Sequence, residues 1–469
     1  MKRNLTILHT NDIHSNFAHE LKLAGLLREK RNSLRAAGVP VLVVDGGDHL
    51  DISILECQAT DGQLNLDLHA ALGYHAAAVG NNELSRFTLE QIRGLSRASR
   101  VPWLLANVVE GDGSPIGGMQ EALLLDLDGI KIGLTGITDQ FGTFYEDALH
   151  VKNADTVTAV RTQAERLRAQ GADLVVLLSH AGLNQDQELA PRLAGHVDLI
   201  IGAHTHDALH EPLHEAGVWI AQAGAMARFL GELTLELDLQ AAPGQTITSL
   251  QGCLHPVEED MLPDAELQQI YEDAQSVIEA KISEVLGVLE TPVSHDELIA
   301  HLAAVMRDYY QAELGMMFGA VAVAGFPAGP LTVGDIYRNL MSLVNVTKFE
   351  FQGKQLLGLL HERNNPDIYN RHKIGGGVRP KEGLPVGKIQ FDGLTWDERD
   401  REITNCRVNG EPLDPERWYT VGGGEHLGYA DSLYYPSLEG SKILHVDDYT
   451  YVKDAYIAHI RNQRKEVTS

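Results

Sequence analysis

Five short apolar runs in the first half of the chain each stop at residues able to bind a metal ion. Leu5–Leu8 leads into Asn11-Asp12-Ile13-His14, and Val41–Val44 leads into Asp45-Gly46-Gly47-Asp48. His75–Val79 leads into Gly80-Asn81-Asn82-Glu83, Leu174–Leu178 into Ser179-His180, and Val197–Ile201 into Gly202-Ala203-His204-Thr205-His206. Amphipathic stretches such as Leu21–Leu34, Leu89–Ser96 and Val157–Ala169 lie between the runs, so the chain reads as strands alternating with helices. That order predicts parallel βαβ units, whose ligands sit in the loops leaving the carboxyl ends of the strands. Leu123–Asp128 and Lys131–Thr135 meet at Asp128-Gly129 and predict a hairpin, while Arg228–Leu239 alternates like a half-buried antiparallel strand.

A chain of 469 residues is too long for one hydrophobic core. The expected division is a first α/β domain over 1–245, a linker over 246–288 holding a connecting helix (Asp264–Glu284), and a second domain over 289–469. The second domain contains the helical pattern Asp296–Gln311 and glycine-rich turns at Gly375-Gly376-Gly377 and Gly422-Gly423-Gly424. A formal charge of −27 repels nucleic acid and anionic lipid, which argues against either as a partner. No apolar run approaches the roughly 20 residues of a membrane-spanning helix. The opening segment runs into polar Thr10, Asn11 and Asp12 with no long apolar core or cleavage site, so a cytoplasmic location is expected. Cys57, Cys253 and Cys406 are far apart and odd in number, and imply neither a disulfide framework nor a zinc knuckle.

Taken singly, an Asp or Asn after a strand begins a turn or caps a helix, and a lone His such as His19, His69, His75 or His210 is an ordinary surface or satisfied residue. Five successive strand ends with ligand-type residues are a different matter, and together they point to a metal site. A carboxylate shared between two cations tolerates their repulsion, which suits Asp48 as a bridge. Imidazoles favour zinc, manganese, iron or cobalt over calcium. Two such ions about 3.5–4 Å apart clamp an in-line displacement at phosphorus.

The series Asp-x-His, Gly-Asp, Gly-Asn-x-Glu, His, and Gly-x-His-x-His resembles the calcineurin-like metallophosphoesterases, and Leu8-His9-Thr10-Asn11-Asp12-Ile13-His14 is similar to their 5′-nucleotidase branch. The resemblance implies an α/β fold: a four-layer α/β/β/α catalytic sandwich followed by a smaller α+β C-terminal substrate-binding domain. It implies two divalent ions (manganese, zinc, iron, cobalt or magnesium), one held by Asp12, His14, Asp48 and His206, the other by Asp48, Asn81, His180 and His204. The implied reaction is hydrolysis of phosphate monoesters, foremost nucleoside 5′-monophosphates, by a metal-bridging hydroxide, with Asn81 helping to stabilise the transition state. The partner would be a small-molecule nucleotide or phosphate ester. Alternatives are a cyclic-nucleotide phosphodiesterase, a nucleotide pyrophosphatase, or a non-catalytic nucleotide-binding protein.

Two departures from the family pattern matter. Gly80-Asn81-Asn82-Glu83-Leu84-Ser85 stands where the family reads Gly-Asn-His-Glu, an aromatic, then Asp. The histidine so replaced contacts the phosphoryl group and helps protonate the leaving group. Asn82 can donate a hydrogen bond but cannot act as an acid near neutral pH, and losing general-acid help costs about 10²–10⁴ in rate. His49, beside Asp48 and close to Asp51, is the candidate replacement. In the second domain the family's Asn-Gly-Gly-x-Arg reads Val-Ala-Gly-Phe-Pro-Ala-Gly over Val323–Gly329. Gly375-Gly376-Gly377-Val378-Arg379 offers a substitute in which Arg379 could grip a phosphate. Phe391, Trp396, Tyr429, Tyr434 and Tyr435 are candidates to stack a nucleobase, with Tyr429 the first choice.

Overall fold

The computed structural model describes every residue except 1, 376, 381, 401 and 469, and the side chains of 465–468 are likewise left undescribed. Two compact units divide the chain, Met1–Val277 and Ile278–Ser469.

In the first unit the apolar runs form strands β1 (Lys2–Thr10), β2 (Val41–Asp45), β3 (Ala76–Ala78) and β4 (Trp103–Leu104), followed by β5 (Ala122–Leu127) and β6 (Ile130–Thr138). Next come β7 (Leu174–His180), β8 (Leu199–Gly202), β9 (Leu213–Glu215), β10 (Val218–Ala221), β11 (Phe229–Asp238) and β12 (Ile247–Pro256). They make two six-stranded sheets, ordered β12-β11-β1-β2-β3-β4 and β9-β10-β8-β7-β6-β5. β1 to β4 run parallel, as do β6, β7, β8 and β10, while β5, β9, β11 and β12 join antiparallel. β5 and β6 pair across Asp128 and Gly129, both with positive φ, as the Asp-Gly signal predicts.

Side chains from both sheets share one core. Leu5, Ile7, Leu42, Val44, Ala76 and Ala78 of the first meet Ile132, Leu134, Leu174, Val176, Leu178 and Ile201 of the second. A second apolar layer covers the other face of the second sheet, where Val160, Ala164 and Leu167 of α3 and Leu189, Ala190 and Leu193 of α4 pack on Val175, Leu177 and Ile200. Here α1 is Phe17–Ala36, α2 Leu89–Ala98, α3 Thr156–Ala169 and α4 Leu183–Leu193. α1 buries Phe17, Leu21, Leu23, Ala24 and Leu27 against β1, β2 and β11. The result is helix, sheet, sheet, helix: the expected four-layer sandwich. Because both faces are covered, the parallel strands are almost wholly apolar rather than alternating.

The boundary between the units falls inside α5 (Ala265–Ile282). The second unit is built on a five-stranded mixed sheet of β13 (Leu314–Met317), β14 (Asn345–Gln352), β15 (Gln390–Asp392), β16 (Trp418–Gly424) and β17 (Lys442–Tyr451), in the order β15-β13-β16-β14-β17. Helix α6 (His295–Tyr310) starts at a reciprocal Ser294/Glu297 cap and lays Leu298, Leu302 and Met306 into this unit's core. Gly422-Gly423-Gly424 is not the turn that its composition suggests. It lies inside β16, where a Cβ on Gly422 would stand 2.1 Å from the Met306 carbonyl oxygen, so Gly422 lets the strand approach α6, while Gly423 and Gly424 make room for Leu427 and Val344. No described helix is long and apolar enough to cross a membrane.

Candidate metal centre

Register brings the strand ends together. Thr10 pairs with Asp45, Thr138 with His180, and Gly202 with Ser179, so the loops that follow leave the sheets side by side. Five of the seven candidate ligands stand in the left-handed backbone region: Asp12, His14, Asp48, His204 and His206, with φ between 51° and 74°. That region costs non-glycine residues energy, and such residues collect at functional sites because the surrounding structure holds them there. Asp12 N donates to Gly47 O and His14 N to Asp48 O, which ties the first two loops to each other. Gly80 has room for no side chain, since a Cβ there would stand 2.1 Å from Asp48 Oδ1.

The polar atoms converge. Asp12 Oδ1 lies 3.4 Å from His206 Nε2, 3.7 Å from His14 Nε2 and 3.9 Å from His180 Nε2. Asp48 Oδ2 lies 3.4 Å from His180 Nε2 and 3.9 Å from His14 Nε2, and the His14 and His206 Nε2 atoms are 3.0 Å apart. Ligand atoms around one tetrahedral ion at about 2.0–2.1 Å stand about 3.3 Å from one another, the same scale. Two ligand groups result, Asp12/His14/His206 and Asp12/Asp48/His180. Asp12 is the carboxylate common to both, whereas reading from the sequence assigns the sharing to Asp48.

The donor set suits divalent cations. His180 Nδ1 donates to Gly46 O at 2.9 Å, which leaves its buried Nε2 with no hydrogen-bond partner, facing two carboxylates. A lone pair aimed at carboxylates is repulsive until a proton or a cation lies between them. Burial opposes charge on His180, yet the Asp48 carboxylate outweighs burial and pushes the imidazole up to about 10. The pocket therefore attracts positive charge, and a metal ion is the better source because His14, held low by burial, remains a neutral lone-pair donor.

Residues behind the cluster hold it in shape. Glu83 accepts from Gly80 N (2.8 Å), Asp48 N (3.1 Å) and Leu50 N (2.9 Å), joining the second and third loops. Burial, then the nearby Asp48 charge, lifts its carboxyl to about 7. Asn11 Nδ2 donates to Asp12 Oδ2 at 2.7 Å and to Gly224 O at 2.6 Å. Such partners orient the residues of a metal site.

His204 and Asn81 form a pair of their own. His204 Nδ1 is 2.9 Å from Asn81 Oδ1, and His204 Nε2 is 3.8 Å from Asp139 Oδ2. Asp139 is absent from the sequence-derived set. Its signal is a carboxylate directly after an apolar run, but the sequence pattern ends that strand at Thr135, whereas it continues to Thr138.

Asn82 turns inward. Its Nδ2 is 3.0 Å from both Asp48 Oδ2 and His14 Nδ1, and its backbone N donates to Asp48 Oδ1 at 2.8 Å. His49 does not take the place expected of it. Its Nε2 binds Glu20 Oε1 at 2.7 Å, its Nδ1 has no partner, and its ring stacks on buried His69 at 4.5 Å. The Glu20 charge outweighs burial and holds His49 above its ordinary range, so it is one half of a buried ion pair with α1. Asp51 does not orient it: Asp51 Oδ1 instead accepts from Ser53 N and Oγ.

The substrate-binding candidates all belong to the second unit. Arg379 N donates to Ser342 Oγ at 3.1 Å, and Gly375 and Gly377 have positive φ, while Gly376 lies outside the described residues. Tyr429 is 53% exposed and free to present its ring. Phe391 packs against this unit's core and meets Trp396 edge-on at 6.1 Å, which makes it a packing residue rather than an open stacking surface.

Residues 5–208 match the Calcineurin-like phosphoesterase family, and residues 281–434 match the family described as 5′-nucleotidase, C-terminal domain. Between them these matches take in most of the chain. The chain belongs to the metallophosphoesterases of the 5′-nucleotidase family. Members of this family are hydrolases that use divalent metals. Among its relatives is the Uncharacterized metallophosphoesterase YunD of Bacillus subtilis, 26% identical over 90% of this chain and 92% of that one. Endonuclease YhcR of the same organism is 22% identical over 92% of this chain, which spans 37% of that longer protein. The crystal structure of a 5′-nucleotidase precursor from Thermus thermophilus shares the fold, with a TM-score of 0.60, 18% identity and coverage of 98% of this chain and 96% of that one.

Proposed function

We propose that the chain hydrolyses small-molecule phosphate monoesters, foremost nucleoside 5′-monophosphates, at a dinuclear centre held by Asp12, His14, Asp48, Asn81, His180, His204 and His206. One observation carries the reading: carboxylate and imidazole atoms from widely separated strand ends stand 3.0–3.9 Å apart, with a buried His180 Nε2 lacking any partner. Divalent ions bound there supply an activated water and neutralise charge on the phosphoryl group. Asp12 and Asp48, both buried, fix where positive charge sits. Gly46 O, through Nδ1, sets the His180 tautomer so that Nε2 faces the pocket. Glu83 and Asn82 hold the Asp48 loop rigid. Preorganised groups of this kind save reorganisation energy during reaction.

A cytoplasmic location belongs to the same proposal, supported by three free cysteines, which suit a reducing compartment. One observation favours a second reading. With Asn82 bonded to Asp48 and His14, no acid stands in the family's histidine position, so esters with good leaving groups, such as cyclic nucleotides or pyrophosphates, would suffer least. The test is metal analysis of the purified chain, with phosphate release measured on nucleoside monophosphates, cyclic nucleotides and nucleotide pyrophosphates. Metal-dependent release fastest on monophosphates supports the proposal. Release confined to the diesters or pyrophosphates shifts it to the second reading, and metal-loaded protein inert on every compound would leave a binding protein.

A further inference from the structure

The turn after β6 has a feature that metal binding does not use. Asp139 N donates to His180 O at 2.9 Å, so the turn is fastened to the candidate centre. Gln140 Nε2 donates to Asn107 O (2.7 Å) and Ala154 O (2.8 Å), and Asp139 Oδ1 accepts from Phe141 N (3.1 Å). Held this way, Phe141 adopts a φ of 47°, a conformation that a bulky side chain takes only under constraint. Its ring meets His204 edge-on at 5.7 Å and still leaves 45% of the residue exposed. Phe144, 38% exposed, stands on buried Tyr145 at 5.5 Å, and Tyr145 also meets Phe141 at 6.2 Å.

Among the described residues of the first unit, Phe141 and Phe144 are the aromatics with such exposure. Their apolar surface offers nothing to a phosphoryl group, whose outer atoms are all oxygen. It does fit the other side of the ester. A chain of charge −27 repels anionic substrates at long range, so selectivity must come from short-range contacts of this sort.

We infer that Phe141, beside His204, and Phe144, which shares Tyr145 with it, form an aromatic ledge that selects phosphate esters whose leaving group carries a flat unsaturated ring. The ring contacts the ledge edge-to-face or offset, as aromatic pairs do. This inference rests on the phosphatase reading of the same centre. Two sources supply that chemistry, a nucleobase and a simple aryl ester.

The test is kcat/KM of the metal-loaded full chain on a nucleoside 5′-monophosphate, nitrophenyl phosphate and ring-free glycerol phosphate, for wild type, Phe141→Ala, Phe144→Ala and Phe144→Leu. The ratio of ring-bearing to ring-free substrate is expected to fall about 3- to 10-fold in each alanine variant, mainly through KM. A fall confined to the nucleotide identifies a nucleobase as the ring, and a fall confined to nitrophenyl phosphate identifies an aryl group. Phe144→Leu, which keeps the bulk and loses the ring, should fall nearly as far. If Phe141→Ala does not fold, the Phe144 pair decides. Wild-type activity with an unmoved ratio, or equal loss on all three substrates, overturns the ledge alone. A wild type inert on all three overturns the phosphatase reading, and the ledge with it.

Discussion

The strand-end loops of the first unit and the loops of the second differ in how tightly they are specified. In the first unit, Asp12, Asp48, His14 and His180 are buried, several in the left-handed region, and each is fixed by a partner from another loop. In the second unit, Tyr429 is half exposed and Gly375 stands in an open turn, with Gly377 buried against the Leu343 carbonyl. Ligand chemistry demands particular atoms at particular separations, so it constrains residue type, backbone and burial together. Ring stacking asks only for a flat apolar face, which many side chains on many loops provide.

Removal of metal should have the largest effect. If the first unit holds divalent ions, dialysis against a chelator should reduce phosphate release by about 10³-fold or more, with recovery on adding manganese or zinc. Full activity in the chelated protein would erase the distinction between the units. Next in size, Asp12→Asn should abolish binding of both ions, because Asp12 alone belongs to both ligand groups. Asp48→Asn should weaken chiefly the ion near His180. Metal content by mass spectrometry separates these outcomes, and equal loss in both variants would return the bridging role to Asp48.

A smaller effect is expected at Glu83. Glu83→Gln replaces one of two acceptor oxygens that take three backbone N–H groups, and should weaken metal affinity about 10–100-fold. Titration with manganese would check it, and unaltered affinity would show that the loops hold themselves. Smallest are the second-unit changes. Tyr429→Ala should raise nucleotide KM about 3- to 10-fold without altering melting temperature. Phe391→Ala, at a side chain only partly buried against the core, should cost about 1–2 kcal/mol of stability and leave KM alone. The opposite pattern, with KM moving at Phe391, would show that this ring serves binding and not packing.

Much of the catalytic unit was legible because each buried parallel strand is a compact apolar run that stops at a ligand. The helix patterns at Leu21, Leu89, Val157 and Asp296 correspond to α1, α2, α3 and α6 within a few residues. What failed was direction. His49 follows Asp48 in sequence, but the left-handed turn at Asp48 carries its side chain away to Glu20, a partner set by the packing of α1. Asp139 was hidden because Gly133 and Gly136 dilute the apolar character of β6 and obscure its true end. The sharing of Asp12 between ligand groups is a matter of tenths of an ångström, which spacing along the chain does not encode. In the second unit, glycine-rich composition predicts a turn at Gly422, yet the residue lies inside a strand, where its missing side chain permits close packing against α6.

The central claim is convergence: side chains from positions 12 to 206 hold paired cations. Anomalous diffraction from crystals of the chain grown with manganese tests this directly. Two peaks about 3.5–4 Å apart, bounded by Asp12, Asp48, His180 and His206, are predicted. No peak there, or peaks only at surface carboxylates, would contradict it.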